Sequence, residues 1–268
     1  MAGYWQDKVV VVTGGSQGFG RAIADVYASA GAKIAIIALD DGQLDPAVES
    51  LKVTGCDALG VGADITSQDD VDRAFAKIAD HFGRIDVLVN CAGRSTRGAI
   101  LDTTPEEFQS LLDLNFMAMV RCTRAAAKML IESGGHIVNI GSLAAKSASK
   151  FVGAYPVSKH AAAAYSHQLR LELAEQGVHV LLVCPGPLAR DDAGIRYNEE
   201  AGDLPDSARK PGGGVKLKGI RPDYLAGRIL KSCERRKPEL VVPAKARLLF
   251  AISQLSPSLG DWIIRKMT

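Results

Sequence analysis

The chain has 268 residues, 47% of them hydrophobic and 23% charged, a balance that excludes a disordered or fibrous protein and supports one sizeable globular domain. Its net charge is +2 and its basic residues are scattered apart from the run Arg235-Arg236-Lys237, so the electrostatic footprint of a nucleic-acid binder is missing and small-molecule chemistry is expected. The five cysteines, Cys56, Cys91, Cys122, Cys184 and Cys233, form no C-x-x-C pair, no apolar run approaches the roughly 18 residues of a membrane span, and the N-terminus is unlike a signal peptide, so a cytoplasmic protein with reduced thiols is expected.

Short β-branched runs alternate with helix-like stretches along the chain. The strands are expected at Val9 to Val12, Ile34 to Leu39, Leu59 to Ala63, Val87 to Asn90, His136 to Ile140, Val178 to Cys184 and Leu240 to Val242. Between the first two, Phe19, Ala22, Ile23, Val26, Tyr27 and Ala30 fall at helical spacing, and Gly31 stops the helix. A second stripe, Val71, Ala74, Phe75, Ile78, Ala79 and Phe82, follows the N-cap candidate Ser67. Thr104-Pro105-Glu106-Glu107 opens a long helix with a cap, an N1 proline and first-turn acids. This rhythm predicts βαβ units and an α/β fold with a seven-stranded parallel sheet and helices on both faces. Residues 190–219, with Asp191-Asp192, Pro205 and Pro211-Gly212-Gly213-Gly214, break all periodicity and predict a mobile loop inside the single domain 1–268.

Directly after the first strand comes Thr13-Gly14-Gly15-Ser16-Gln17-Gly18-Phe19-Gly20, and the first helix begins inside it. Glycines suit such a turn because its backbone needs unusual φ/ψ and must approach a pyrophosphate, which the helix N-terminus then binds through its N–H groups. Further along, Tyr155 and Lys159 are one turn apart on an expected helix reaching Leu173, and Ser142 lies 13 residues before Tyr155, just past the fifth strand. A tyrosine with a pKa of about 10 moves toward working pH when an ammonium lies beside it.

These motifs, in this order over nearly the whole chain, resemble those of the short-chain dehydrogenase/reductase family. The resemblance implies a Rossmann-type doubly wound fold and an NAD(P)-dependent oxidoreductase interconverting an alcohol and a ketone or aldehyde. It implies Tyr155 as general acid/base, Lys159 as its partner and a holder of the nicotinamide ribose, Ser142 as donor to the substrate oxygen, and Asn115 as anchor of a relay water. Cofactor contacts are implied at Gly14, Ser16, Gln17, Gly18, Phe19 and Gly20. They are also implied at Asp64 and Ile65 after the third strand, and at Asn90, Ala92 and Gly93 in a segment with Cys91 where the family has a second Asn. Pro185-Gly186 matches the motif beside the nicotinamide, with the Leu188 N–H facing the carboxamide; Arg190 stands where relatives often carry Thr. Asp40, or its neighbour Asp41, would repel a 2′-phosphate and accept from a 2′-hydroxyl, and Gln17 is neutral where NADP-dependent relatives often place a basic residue, so NAD is expected before NADP.

Histidines 81, 136, 160, 167 and 179 show no metal-ligand spacing, and no metal is expected. Residues 190–219 are expected to form a substrate lid. In the tail, 244–268, Leu248, Leu249, Ile252, Leu255, Leu259, Trp262, Ile263 and Met267 are grouped with Lys245, Arg247, Arg265 and Lys266 around Pro257. Two placements stay open: helices packed on protein, or an amphipathic segment at a membrane surface, in which case the substrate is lipophilic. The resemblance also implies a homodimer or homotetramer, with Ala161-Ala162-Ala163-Ala164 permitting close helix approach. A non-catalytic dinucleotide-binding regulator on the same fold is the alternative; it has no need of a proton-transfer group, which Tyr155 supplies. An epimerase or dehydratase suits chains with a larger C-terminal substrate domain.

Overall fold

The computed structural model describes residues 3–190, 197–215 and 217–267. Seven strands, β1 (Val9–Thr13), β2 (Lys33–Ala38), β3 (Ala58–Gly62), β4 (Val87–Asn90), β5 (His136–Ile140), β6 (His179–Pro185) and β7 (Glu239–Val242), form one sheet in the order β3-β2-β1-β4-β5-β6-β7. All six pairings are parallel. Every residue of β1, β4, β5 and β6 is buried, as expected of central strands covered on both faces by helices.

One face carries α1 (Gly18–Ser29), α2 (Leu44–Val53) and α9 (Pro222–Glu234), with Ile23, Tyr27, Leu51, Leu225 and Ile229 packed on Val10, Val12, Ile34 and Ile36. The other face carries α3 (Gln68–Phe82), α5 (Ala118–Ser133) and α6 (Tyr155–Leu173), whose Val71, Phe75, Ile78, Cys122 and Leu130 meet Val11, Ile37 and Leu88. Strand order reverses between β1 and β4, so a crevice opens at their C-terminal ends, the usual ligand position of doubly wound sheets.

The expected helix boundaries follow local chemistry. The Ser67 hydroxyl accepts from the Asp70 N–H and starts α3, and Gly83 at φ 70° ends it. Thr104 and Glu107 form a reciprocal capping box at the start of α4 (Pro105–Leu112). The long helix expected after Thr104 is not continuous: a π-helical turn, Asp113–Met117, separates α4 from α5. Within 190–219, residues 191–196 and 216 lie outside the described residues. The described part contains helical turns where none were expected: α7 (Asn198–Ala201), α8 (Asp206–Arg209) and a 3-10 turn, Pro211–Gly213. The tail forms two helices, α10 (Ala246–Leu255) and α11 (Pro257–Met267). Among the described residues, no helix is long and apolar enough to cross a membrane.

Candidate active site

The glycine-rich turn is built by close approach. Gly14, at φ 66°, donates its N–H to the Ile37 carbonyl, and a Cβ on it would sit 3.0 Å from the Ala92 Cα. A Cβ on Gly20 would fall 2.1 Å from the Gly14 carbonyl oxygen, so α1 can press against the turn only with glycine there. Gln17 precedes α1 in an extended conformation, and its side chain makes no cap, which leaves the first-turn N–H groups for a ligand. Thr13 ties this turn to the end of β4, its hydroxyl accepting from the N–H groups of Cys91 and Ala92 at 3.0 and 3.2 Å.

A cavity of about 990 Å³ runs along the sheet edge from this turn. Its walls include Gly14, Ser16, Gln17, Gly18, Phe19, Gly20, Asp64, Ile65, Ala92, Gly93, Pro185, Gly186 and Leu188, together with Ser142, Tyr155 and Lys159. An uncapped helix start, a glycine cradle and an elongated cavity at the strand ends fit a dinucleotide. Farther out, Leu143, Val215, Leu217, Leu249, Ile252 and Ile263 make the walls apolar.

Lys159 is buried, and its Nζ donates to the Ile140 carbonyl at 2.9 Å and lies 5.8 Å from the centre of the Tyr155 ring. Burial pushes its pKa down to about 8, partly opposed by the thiols of Cys91 and Cys184. Ser142 follows β5 in extended backbone, and its hydroxyl accepts from the Ala144 N–H at 3.1 Å. Tyr155 opens α6, whose first turn is clamped by Ser158: that hydroxyl donates to the Tyr155 carbonyl at 2.8 Å.

Three expected site residues stand behind the cavity wall. Asn115, in the π turn, is buried; its Nδ2 donates to the Arg94 carbonyl (2.8 Å) and the Ser158 hydroxyl (3.0 Å), and its Oδ1 accepts from the Arg94 N–H (2.9 Å). Asn90 sends its Nδ2 to Asn139 Oδ1 at 2.8 Å and Thr123 Oγ1 at 3.2 Å, a polar thread across the sheet that Asn139 extends to Ser166. Asp40 lies against Gly62, and Asp41 is the acid that lines the cavity beyond β2. Asp64 lines the cavity while its Oδ1 accepts from both the N–H and the hydroxyl of Thr66, which makes it a turn former as well. At Leu188 a parallel bridge to Ile220 uses the Ala189 N–H and the Pro187 carbonyl, so the polar backbone groups of Leu188 point away from Ile220.

Arg97 was not expected from the sequence. Its guanidinium is buried, donates from Nε to the Ala208 carbonyl (2.5 Å) and from Nη2 to the Lys210 carbonyl (3.2 Å), and stacks 3.6 Å from the centre of the Tyr197 ring. Glu200 accepts from the Arg97 N–H, and the Tyr197 hydroxyl meets Ser95 at 2.9 Å. The stretch after β4 and the turns after residue 197 are thereby fastened together over the cavity. Contacts spanning more than 100 residues leave no local sequence pattern.

At the opposite end of the sheet, parallel register places His136 beside His179, and Cys233 joins them within 4.8 Å. Spacing along the chain gave no sign of this group, because sheet register, not a short motif, assembles it. The Lys237 carbonyl can only accept, so His179 donates from Nε2 (2.8 Å) and accepts at Nδ1 from His136 Nδ1 (2.9 Å); His136 Nε2 then accepts from the Tyr4 hydroxyl (3.0 Å). Both imidazoles are thus satisfied in their neutral forms. Burial lowers both pKa values, that of His136 to about 3.

The seven-stranded parallel sheet with helices on both faces is a Rossmann-type doubly wound fold. A family model described as short chain dehydrogenase matches residues 8–200, and the chain belongs to the short-chain dehydrogenase/reductase family of oxidoreductases. It is 31% identical over 266 residues to the uncharacterized oxidoreductase YxnA of Bacillus subtilis, covering 98% of this chain and 72% of that protein. It is 30% identical to the probable oxidoreductase EphD of Mycobacterium tuberculosis over 95% of this chain, which spans 44% of EphD's length. Among solved structures, L-sorbose reductase from Gluconobacter frateurii, complexed with NADPH and L-sorbose, is 27% identical with a TM-score of 0.79, covering 90% of this chain and 97% of that one.

Proposed function

We propose that the protein is an NAD(P)-dependent alcohol dehydrogenase or carbonyl reductase with Tyr155 as its general acid/base. The observation that carries this is that Tyr155, Ser142 and Lys159 line the same cavity as the glycine-rich turn. A bound nicotinamide would supply the hydride chemistry at the substrate carbon. Tyr155 moves the proton at the substrate oxygen, which the Ser142 hydroxyl holds by a hydrogen bond. Lys159, as an ammonium 5.8 Å from the centre of the ring, favours the phenolate and would hold the nicotinamide ribose hydroxyls. The side chain of Asn115 is committed to Arg94 and Ser158, so its part is to hold the chain after β4 against the first turn of α6, where Tyr155 stands. The residues beyond β2 that line the cavity, Leu39 and Asp41, include no base to pair with a 2′-phosphate, which favours NAD over NADP, with Asp41 as ribose contact in place of Asp40.

Replacing Tyr155 by Phe removes only the hydroxyl. Turnover against a panel of alcohols and ketones, followed at the reduced-nicotinamide band, is expected to fall by roughly a thousandfold, with NADH affinity by fluorescence unchanged. Retained turnover would remove Tyr155 from the mechanism, and a clear preference for NADPH in the same titrations would reverse the cofactor assignment.

A further inference from the structure

The two tail helices fit poorly with a purely structural part. Of the side chains in α10 none is buried, and Gly260 is the one buried residue of α11. Their attachment is narrow: Ala246 and Phe250 pack beside Cys184 and Val241, and Gly260 presses on Ser253, where a Cβ would come within 2.4 Å of the hydroxyl. The hairpin is therefore closely crossed within itself and lightly seated on the body.

One side of it belongs to the cavity, through Leu249, Ile252, Ile263 and Met267. Leu248 lines the cavity and is also 67% exposed, which puts the rim of the cavity on α10. Beyond that rim Leu255, Leu259 and Trp262 are exposed at 88%, 47% and 53%. Lys245, Arg247, Arg265 and Lys266 are exposed as well, against the single acid Asp261, so the hairpin carries an excess of three positive charges in a chain whose net charge is +2. The Lys266 ammonium sits 4.1 Å over the Trp262 ring, placing cation and indole on one face.

Resting on the Tyr155-centred reading, we propose that this hairpin seats on an anionic phospholipid surface and presents the apolar end of the cavity to the bilayer, which delivers a lipophilic alcohol or ketone as substrate. Exposed leucines with an interfacial tryptophan and a basic rim are the chemistry of a helix lying in the headgroup region. The same face on a second copy would bring two positive excesses together, which disfavours self-association there. A cavity polar at Ser142 and Tyr155 and apolar at the hairpin suits a molecule with one oxygen at the end of a large hydrocarbon body.

The test uses the full chain, vesicles of phosphatidylcholine alone or mixed in equal parts with phosphatidylserine, and the triple variant L255S/L259S/W262S, whose positions lie outside the cavity lining. The parent protein is expected to float with the anionic vesicles, less at high salt, and the triple variant to bind them roughly tenfold more weakly. Replacing Arg265 and Lys266 by Gln is expected to weaken binding by roughly fivefold per charge. The triple variant keeps its NADH affinity and its turnover of a short water-soluble ketone, while kcat/KM for a vesicle-dissolved long-chain ketone falls roughly tenfold. No flotation of the parent, or equal flotation of the triple variant, overturns the docking; so does a triple variant that sediments as a smaller assembly than a non-floating parent, which would give the face to a second copy. Flotation with no turnover of either ketone overturns the substrate assignment and the Tyr155 reading while docking stands.

Discussion

Lys159 is an ammonium kept from water between β5 and α6, with one carbonyl, that of Ile140, accepting from it at 2.9 Å. Its folded-state pKa of about 8 lies below the ordinary 10.5, so the unfolded chain holds its proton more tightly. Stability from this group is therefore full above about pH 10.5, declines as pH falls toward 8, and stays reduced at neutral pH. Lys159→Met is accordingly expected to raise stability at pH 7 by about 1–3 kcal/mol, after the Ile140 carbonyl loses its partner, and to abolish turnover. Urea denaturation at pH 7 and at pH 10 checks this, because the gain should shrink at the higher pH. Lys159, Tyr155 and Ser142 were singled out in the sequence by the resemblance of their motifs, in order, to those of the family, and the fold brings all three to one cavity. Arg97 was not, since its partners are backbone carbonyls that any residue supplies.

At the scale of elements, the strands were legible from β-branched runs to within about one residue, because a parallel strand buried on both faces tolerates little else. Caps such as Ser67 and the Thr104 box were equally visible. The π turn at Asp113–Met117 was not, for one extra residue per turn barely disturbs an apolar stripe, and its cause is a tertiary demand: Asn115 must reach Arg94 and Ser158 at once. Asn115→Ala removes three hydrogen bonds from a buried position and is expected to cost about 2–4 kcal/mol in thermal or urea unfolding. Because those bonds hold the chain after β4 to the first turn of α6, kcat is expected to fall with it even at temperatures where the variant is fully folded. An unchanged kcat would separate the π turn from the alignment of Tyr155.

At the scale of the whole molecule, the end of the sheet remote from the cavity is acid-sensitive. His136, with a folded pKa of about 3 against an ordinary 6.5, and His179, also lowered, must stay neutral to keep the thread from Tyr4 to the Lys237 carbonyl. Protons bound by the unfolded chain but not by the native one make stability fall as pH drops below about 6.5. Between that point and about pH 5, above the carboxylate range, the decline is expected to belong largely to these two residues, and His136→Gln should flatten it in urea titrations. A slope unchanged by that substitution would assign the acid sensitivity elsewhere.

The clasp at Arg97 also bears on how such an enzyme could change its diet. Its guanidinium grips the carbonyls of Ala208 and Lys210, groups common to every amino acid, so the grip itself does not read the side chains at those two positions. Recognition of new molecules can then be tried out at a lining position such as Val215, in a stretch whose place over the cavity is kept by Arg97 together with the Ser95–Tyr197 and Ser149–Gly212 contacts.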